Sequence, residues 1–342
     1  MTAMELDVWY DVRNPPQWRR DPATLYAETL EQIAWADTLG FGAVWLSEHH
    51  FTDEGYLPGL MPMLGAVAMR TTRMRLGTAV LLAPLYHPLR LAEEAAVVDA
   101  LSGGRFDLGL APGYRLAEFA AMGVPKAERG TRTDEIIELL LAAWTTPRVT
   151  YRGRHFQFDD VAVAPKPVQE PHPPLWIGGS TPAAARRAAR FGANFMPDSG
   201  APLEVFQQYR DECAAGGRPP GAVATNLVVH VCDDPEQGWH DVKEHYFYVR
   251  QVYQQWFAEA GDLTQVDESV RGPDDLPRGA YVVGTPAMVI DAIERRREGR
   301  DFDRLIFWAR PPGIDIETSS RSLELMATEV LPHFSGASSG AV

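Results

Sequence analysis

The 342-residue sequence predicts an α/β protein that closes eight parallel strands into a barrel, and three observations predict it. Short apolar runs, typical of strands buried on both faces, alternate with amphipathic helical stretches. Eight such strand-helix pairs can be counted, the number that closes a barrel. The second run, 43–46, ends abruptly in Ser47, Glu48, His49, His50 and Phe51. At a barrel strand's carboxyl end that switch puts a carboxylate and two imidazoles on the rim where active sites are built. A hydrogen-bonded loop anchor is the alternative reading of such a His pair.

In chain order, 6–10 reads as the first strand. Asp21-Pro22 starts a helix that runs over 24–39 and is closed by Gly40. After the His pair, Gly55, Pro58 and Gly59 mark a loop before a Met- and Ala-rich helix reaching about Arg70. The third strand is 75–82; Pro88 opens a helix to Leu101, and Gly103-Gly104 stops it. His87, beside Pro88, fits an anchor of that helix start better than a catalyst. Strand 105–110 runs into Ala111-Pro-Gly-Tyr114, with helical periodicity at 116–122 and 133–144. Residues 149–158 alternate about an Arg-Gly turn and read as a hairpin inserted after the fourth unit. Five prolines between 165 and 174 make an extended connection.

The second half repeats the rhythm with strands 175–179, 193–196, 225–232 and 304–308, and a last helix over 316–331. Thr181-Pro182 caps and opens the helix after the fifth strand. The segment between the seventh and eighth strands is too long for one helix. It is rich in aromatics over 239–257 and acidic and turn-rich over 261–279, so residues 234–283 read as an insertion at the mouth, a lid. Any single ring there is better explained by packing the insertion onto the barrel. The whole reads as one domain, 1–334, and the small polar residues 335–342 as a frayed tail.

The formal charge of −14, from 46 acidic against 32 basic residues, argues against nucleic acid and anionic membrane as partners. No apolar run is long enough to span a bilayer, and the first residues lack a signal peptide's basic start and apolar core. Two cysteines, Cys213 and Cys232, outside any C-x-x-C spacing, fit a reducing compartment, so the cytoplasm is expected. No G-x-G-x-x-G opens a helix after a strand, which gives no nicotinamide site.

The run V-W-L-S-E-H-H-F-T over 44–52, L-G-T-A-V-L-L-A-P-L-Y-H-P-L-R-L-A-E over 76–93 and S-G-G-R-F-D-L-G-L over 102–110 resembles the bacterial luciferase-like flavin monooxygenase family. So do G-R-H-F-Q-F, P-K-P-V-Q, P-P-L-W-I-G-G-S-T-P and V-G-T-P, in family order over roughly residues 5 to 332. The resemblance implies a TIM (β/α)8 barrel that holds reduced FMN as a cosubstrate at the strands' carboxyl ends. It also implies a homodimer, and a separate NAD(P)H:flavin reductase as the source of reduced flavin.

A flavin phosphate needs close backbone N–H groups and a helix start, and Gly178-Gly179-Ser180-Thr181 supplies both. By resemblance Arg132 meets the phosphate, with Arg129 as the competing choice. The resemblance also implies a non-proline cis peptide at Ala79-Val80 under the flavin ring, with Ala111 to Tyr114 on the ring's other side. A flavin that reacts with O2 needs a neighbour titrating near neutrality, and imidazole is the natural choice. By resemblance His49 is that catalytic base, with His50 and Glu48 as orienting neighbours. Luciferases proper carry a reactive cysteine where this chain has Ala111, so a dark monooxygenase is expected.

The implied reaction is oxygenation, by hydroxylation or Baeyer-Villiger insertion, of a small hydrophobic substrate entering a mouth that contains Met61, Met63 and the insertion's aromatics. One alternative is the deazaflavin coenzyme on the same fold, which transfers hydride. A second is a metal-dependent barrel hydrolase using Glu48, His49, His50, Asp53 and His87, against which adjacent histidines diverge on extended backbone. A third is a flavin-binding relative without catalysis.

Overall fold

The computed structural model describes residues 3–263 and 266–336. Eight parallel strands form the ring: β1 (Glu5–Tyr10), β2 (Ala43–Leu46), β3 (Arg75–Thr78), β4 (Phe106–Ala111), β5 (Leu175–Gly178), β6 (Asn194–Met196), β7 (Ala224–Leu227) and β8 (Arg304–Trp308). Their order is β7-β8-β1-β2-β3-β4-β5-β6, and a bridge between Phe195 and Val223 joins the two ends.

Alternation along each strand divides the core in two. Leu6, Val8 and Tyr10 of β1, like Val44 and Leu46 of β2, point outward into the main core under the helices. Trp45, Trp176, Met196 and Ile306 point inward and fill the ring, with Trp9, Ala79 and Val80 above them. Bulk inside the ring requires a gap opposite it. A Cβ on Gly77 would lie 2.6 Å from the Trp45 ring, so only glycine fits there. Asp7 accepts the Trp45 indole N–H at 2.9 Å and pairs with Arg304 at 2.9 Å. Burial nevertheless pushes the Asp7 carboxyl up to about 6.

Helix ends follow the local chemistry read from the sequence. Asp21 accepts the Thr24 N–H and Thr181 that of Ala184, while Gly40 and Gly103 end their helices in the left-handed region. The hairpin pairs Val149–Arg152 with Gln157–Val161, and the Glu135 carboxylate accepts the N–H groups of Arg154, His155 and Phe156 at its turn.

The structure differs from expectation in four places. The third strand is interrupted: the Ala79-Val80 peptide is cis, where the resemblance puts it, and Leu81–Leu82 resumes pairing against β4. The seventh strand does not run unbroken to Cys232. It leaves the barrel at Leu227, and Val229–Val231 pairs with Val282–Gly284 in a separate parallel ribbon. The helix expected at 133–144 begins earlier, as Arg129–Thr145, because a short turn at Lys126–Glu128 leads straight into it. Met61 and Met63 belong to the buried core on the helix Leu60–Arg70. Much of the long segment after β7 is one helix, Pro235–Glu259, capped by Asp234. The expected tail falls outside the described residues from 337 on.

Candidate functional site

β2 stops at Leu46, and its last residues turn over the rim with Ser47, Glu48, His49 and His50 all buried. The chain escapes at Phe51, which adopts φ +57° and is 58% exposed. Two side chains from the segment after β4 fix this turn. Glu118, fully buried, sits with Oε1 2.7 Å from His49 Nδ1 and accepts the His50 amide N–H at 2.9 Å. Arg115 donates to the carbonyl oxygens of His50 and Phe51.

Glu48 points elsewhere. It accepts the Leu82 N–H and the Tyr86 hydroxyl, each at 2.6 Å, and lies 3.6 Å from His50 Nε2. The carboxylate therefore ties the histidine turn to the strand just beyond the cis peptide, and among the described residues it makes no hydrogen bond or ion pair with the His49 ring.

The His49 imidazole lies in a ring-lined pocket. Tyr56 and Trp256 have centroids 4.8 and 4.7 Å away, with Tyr114 and Tyr253 at 5.7 and 6.3 Å. Tyr253, Trp256 and Phe257 come from the helix Pro235–Glu259; Phe257 stacks on Tyr114 at 5.0 Å. The same helix is held down by polar contacts: Tyr248 donates to Glu54 at 2.7 Å, and the Arg13 guanidinium is sandwiched between Tyr56 and Tyr253 at 4.3 and 4.8 Å.

Electrostatics separate the two histidines. Burial disfavours the His49 cation, Arg13 and Arg115 add to that, and Glu118 only partly offsets it, so His49 titrates below the ordinary range. At His50 burial also opposes the charge, but Glu48 and Glu118 outweigh it and hold the ring above the ordinary range. At neutral pH His49 is a neutral imidazole. With Nδ1–H given to a carboxylate, its proton-accepting nitrogen is Nε2.

Three of the residues expected to hold a cofactor, Val80, Ala111 and Gly178, meet at the neighbouring strand ends. A Cβ on Gly178 would lie 2.7 Å from Val80 and 3.6 Å from that of Ala111, so these strand ends meet in a smooth floor. Gly179 has φ +133°, and Thr181 begins the helix Pro182–Phe191. Arg187 of that helix pairs with Asp134 at 2.6 Å and donates to Gly130, which packs it against the first turn of Arg129–Thr145. On that turn Arg132 lies over the Phe156 ring at 4.9 Å, with Nε lacking a hydrogen-bond partner among the described residues. Arg129 instead donates to Lys126 in its own turn. His87 is at the cap of the helix Pro88–Ser102. Among the described residues no three His, Cys, Asp or Glu side chains group as a metal would need, which leaves the hydrolase alternative without a ligand set.

Residues 4–301 match the family model of luciferase-like monooxygenases. The chain belongs to that family. The protein is accordingly an enzyme, an oxidoreductase of the luciferase-like monooxygenase type. The oxygenase component of the flavin-dependent trigonelline monooxygenase of Acinetobacter baylyi is 29% identical, over 91% of this chain and 90% of its own. An F420-dependent glucose-6-phosphate dehydrogenase of Nakamurella multipartita is 36% identical over 62% of this chain and 65% of its own. A Sinorhizobium fredii protein reaches 41% over half of each chain. Among solved structures, a monooxygenase from Streptomyces bottropensis aligns with a TM-score of 0.86 at 27% identity, covering 97% of this chain and all of the other. No helix among the described residues is long and apolar enough to cross a membrane.

Glu118, Arg115, Arg13 and Tyr56 were not legible as site residues. Glu118 and Arg115 sit on an unremarkable stretch of mixed polarity, and only the barrel's closure brings them to β2. Arg13 carried a weak signal, a charge flanked by Asp11 directly after a strand.

Proposed function

We propose that this enzyme is the oxygenase of a two-component system in the cytoplasm. It takes reduced FMN from a separate NAD(P)H:flavin reductase and uses O2 to oxygenate a hydrophobic organic substrate, without light. The observation that carries this reading is the placing of His49, whose Nδ1 lies 2.7 Å from Glu118 and whose Nε2 makes no hydrogen bond among the described residues.

The residues fit FMN. Val80, Ala111 and Gly178 meet as small apolar and glycine positions at the strand ends, and Gly179 and Ser180 lead into a helix start suited to a phosphate, with Arg132 on the helix beside it. Bound reduced FMN supplies the electron pair that activates O2, one oxygen going to the substrate and the other to water. His49 would take or return a proton at Nε2. Glu118 fixes its tautomer, and Glu48, through the Leu82 N–H, holds the short strand Leu81–Leu82 that directly follows Ala79 and Val80. His50, tied by its amide to Glu118 and facing Glu48, keeps the turn in register. Trp256, Tyr253 and Phe257 exclude water and, with Tyr114, offer apolar faces to a substrate.

The F420-dependent relative favours one second reading, hydride transfer with a deazaflavin on the same floor. Product analysis under 18O2 separates the two. Chemically reduced FMN with a panel of carbonyl and unactivated hydrophobic compounds is expected to give labelled product. Oxidation of substrate with the F420 coenzyme and no label would overturn the oxygenase reading.

A further inference from the structure

The two sides of the barrel mouth are built differently. In the closed order of eight strands, β8 and β1 stand opposite β4 and β5. β4 and β5 end in Ala111 and Gly178, whereas the ends of β1 and β8 carry two indoles, Trp9 and Trp308, stacked at 4.8 Å with 24° between their planes. Trp308 shares the inner face with Ile306, two residues earlier.

Arg13 joins these indoles to the His49 pocket. Its guanidinium carbon lies 5.8 Å from the Trp308 ring, 4.3 and 4.8 Å from Tyr56 and Tyr253, and 5.9 Å from Trp256. The last three rings also surround His49. Val12, the residue before it, is β-branched and held at φ +49°, and backbone strain of that kind clusters at ligand sites.

Two donors in this cluster lack an acceptor. Trp9 gives its indole N–H to Ser47 at 2.7 Å, but neither the Trp308 indole N–H nor Nη2 of Arg13 makes a hydrogen bond among the described residues. Arg13 is 2% and Trp308 4% exposed, and buried donors left in that state are rare. Indole and guanidinium hold donors and no acceptor, so their complement is an acceptor atom. The neighbouring charges decide between acceptors. Asp11, 2.9 Å from Nε, and Glu54, 3.6 Å from Nη1, already offset the guanidinium. A carboxylate would add a third buried negative group beside them, whereas a carbonyl oxygen adds none.

We propose that the substrate is an aromatic carbonyl compound, its ring packed among these aromatic side chains and its oxygen accepting from Nη2 of Arg13 and the Trp308 indole N–H. Arg13 and Trp308 thereby set specificity, which rests on the reading of the His49 pocket as the place of reaction.

Acetophenone, ethylbenzene and benzoate share a phenyl ring and differ in the group beside it: a neutral carbonyl, no oxygen, and an anion. Their dissociation constants are measured on the full-length protein by ligand-observed NMR. Acetophenone is expected to bind at least about tenfold tighter than either of the others. Trp308→Phe keeps a ring and removes the N–H, and should cut the preference over ethylbenzene to about threefold or less. Arg13→Met should abolish it. Circular dichroism checks folding, and Trp308→Phe alone carries the test if Arg13→Met, which strands Asp11 and Glu54, does not fold. Equal affinity for acetophenone and ethylbenzene overturns the proposal, as does benzoate binding as tightly as acetophenone, the absence of saturable binding, or a preference unchanged in Trp308→Phe. No turnover enters these measurements, so a failure of the oxygenase reading, seen as missing 18O label, is distinct from a failure here.

Discussion

Oε1 of Glu118 lies 2.7 Å from Nδ1 of His49 and 2.9 Å from the amide nitrogen of His50, so one buried oxygen holds two consecutive residues of the turn that follows β2. In a dry site a charge-assisted contact of this kind sets both ring orientation and tautomer. It also opposes burial, which works to drive the His49 proton off.

Glu118→Gln is expected to lower kcat by about a hundredfold, the lower range for loss of an aligned acid-base group. FMN affinity should stay near wild type. The pH profile carries the decisive sign. Glu118 raises the His49 pKa, while burial, Arg13 and Arg115 lower it. Removing the carboxylate therefore moves the acid limb of kcat to lower pH. A drop in rate with an unmoved limb would mean that Glu118 only packs the turn.

The barrel was legible because its strands are punctuated by residues with one local job. Asp21 and Thr181 cap helices, and Gly40 and Gly103 end them in conformations other residues resist. The place of His49 at a strand end and of Gly178 at a strand-to-helix junction could be read from the residues, whereas the Ala79-Val80 cis peptide was legible only as part of a family pattern. Glu118 was not, since a glutamate on a short helix reads as solvated surface until β4 is known to be two strands from β2. The break in the seventh strand was hidden for a related reason. Residues 225–232 are uniformly strand-like, and what ends the barrel pairing at Leu227 is a distant partner, Val282–Gly284.

Arg13 and Asp11 set a pH limit on stability. The Arg13 Nε lies 2.9 Å from Asp11 Oδ2, an ion pair, and Glu54 is 3.6 Å away on the other side. Burial pushes the Asp11 carboxyl up to about 7, with Glu54 adding and Arg13 opposing. A carboxyl whose folded pKa exceeds its unfolded one holds its proton more tightly in the native state. Stability from this group is present below the unfolded value near 4 and is lost as pH rises to about 7. Thermal melts of wild type and Asp11→Asn should show wild type losing ground across that window, by an amount on the order of a few kcal/mol. A constant difference from pH 4 to 8 would assign the shift elsewhere.

Trp256 covers His49 at 4.7 Å between centroids and carries the Arg115 guanidinium on its face, also at 4.7 Å. Trp256→Ala opens that cover to water. Stability should fall by about 3 kcal/mol or more, as for other large aromatic truncations in packed sites. More telling is the fate of the oxygen: hydrogen peroxide released per flavin oxidised should rise while product falls. Unchanged coupling would show that the helix Pro235–Glu259 does not shield the reacting atoms.

Arg132 and Arg129 stand three residues apart at the start of one helix, and their surroundings favour the former for the phosphate. Arg129 donates to the Lys126 carbonyl in its own turn, while Arg132 rests on Phe156 with Nε unpartnered among the described residues. A charge-assisted contact to phosphate is worth about 1.5–3 kcal/mol, so Arg132→Ala should weaken FMN binding by about ten- to a hundredfold. Riboflavin lacks the phosphate and should bind wild type and variant alike. Measured with both ligands, Arg132→Ala is expected to erase the preference for FMN while Arg129→Ala retains it. The reverse pattern would move the phosphate contact one turn earlier on the helix.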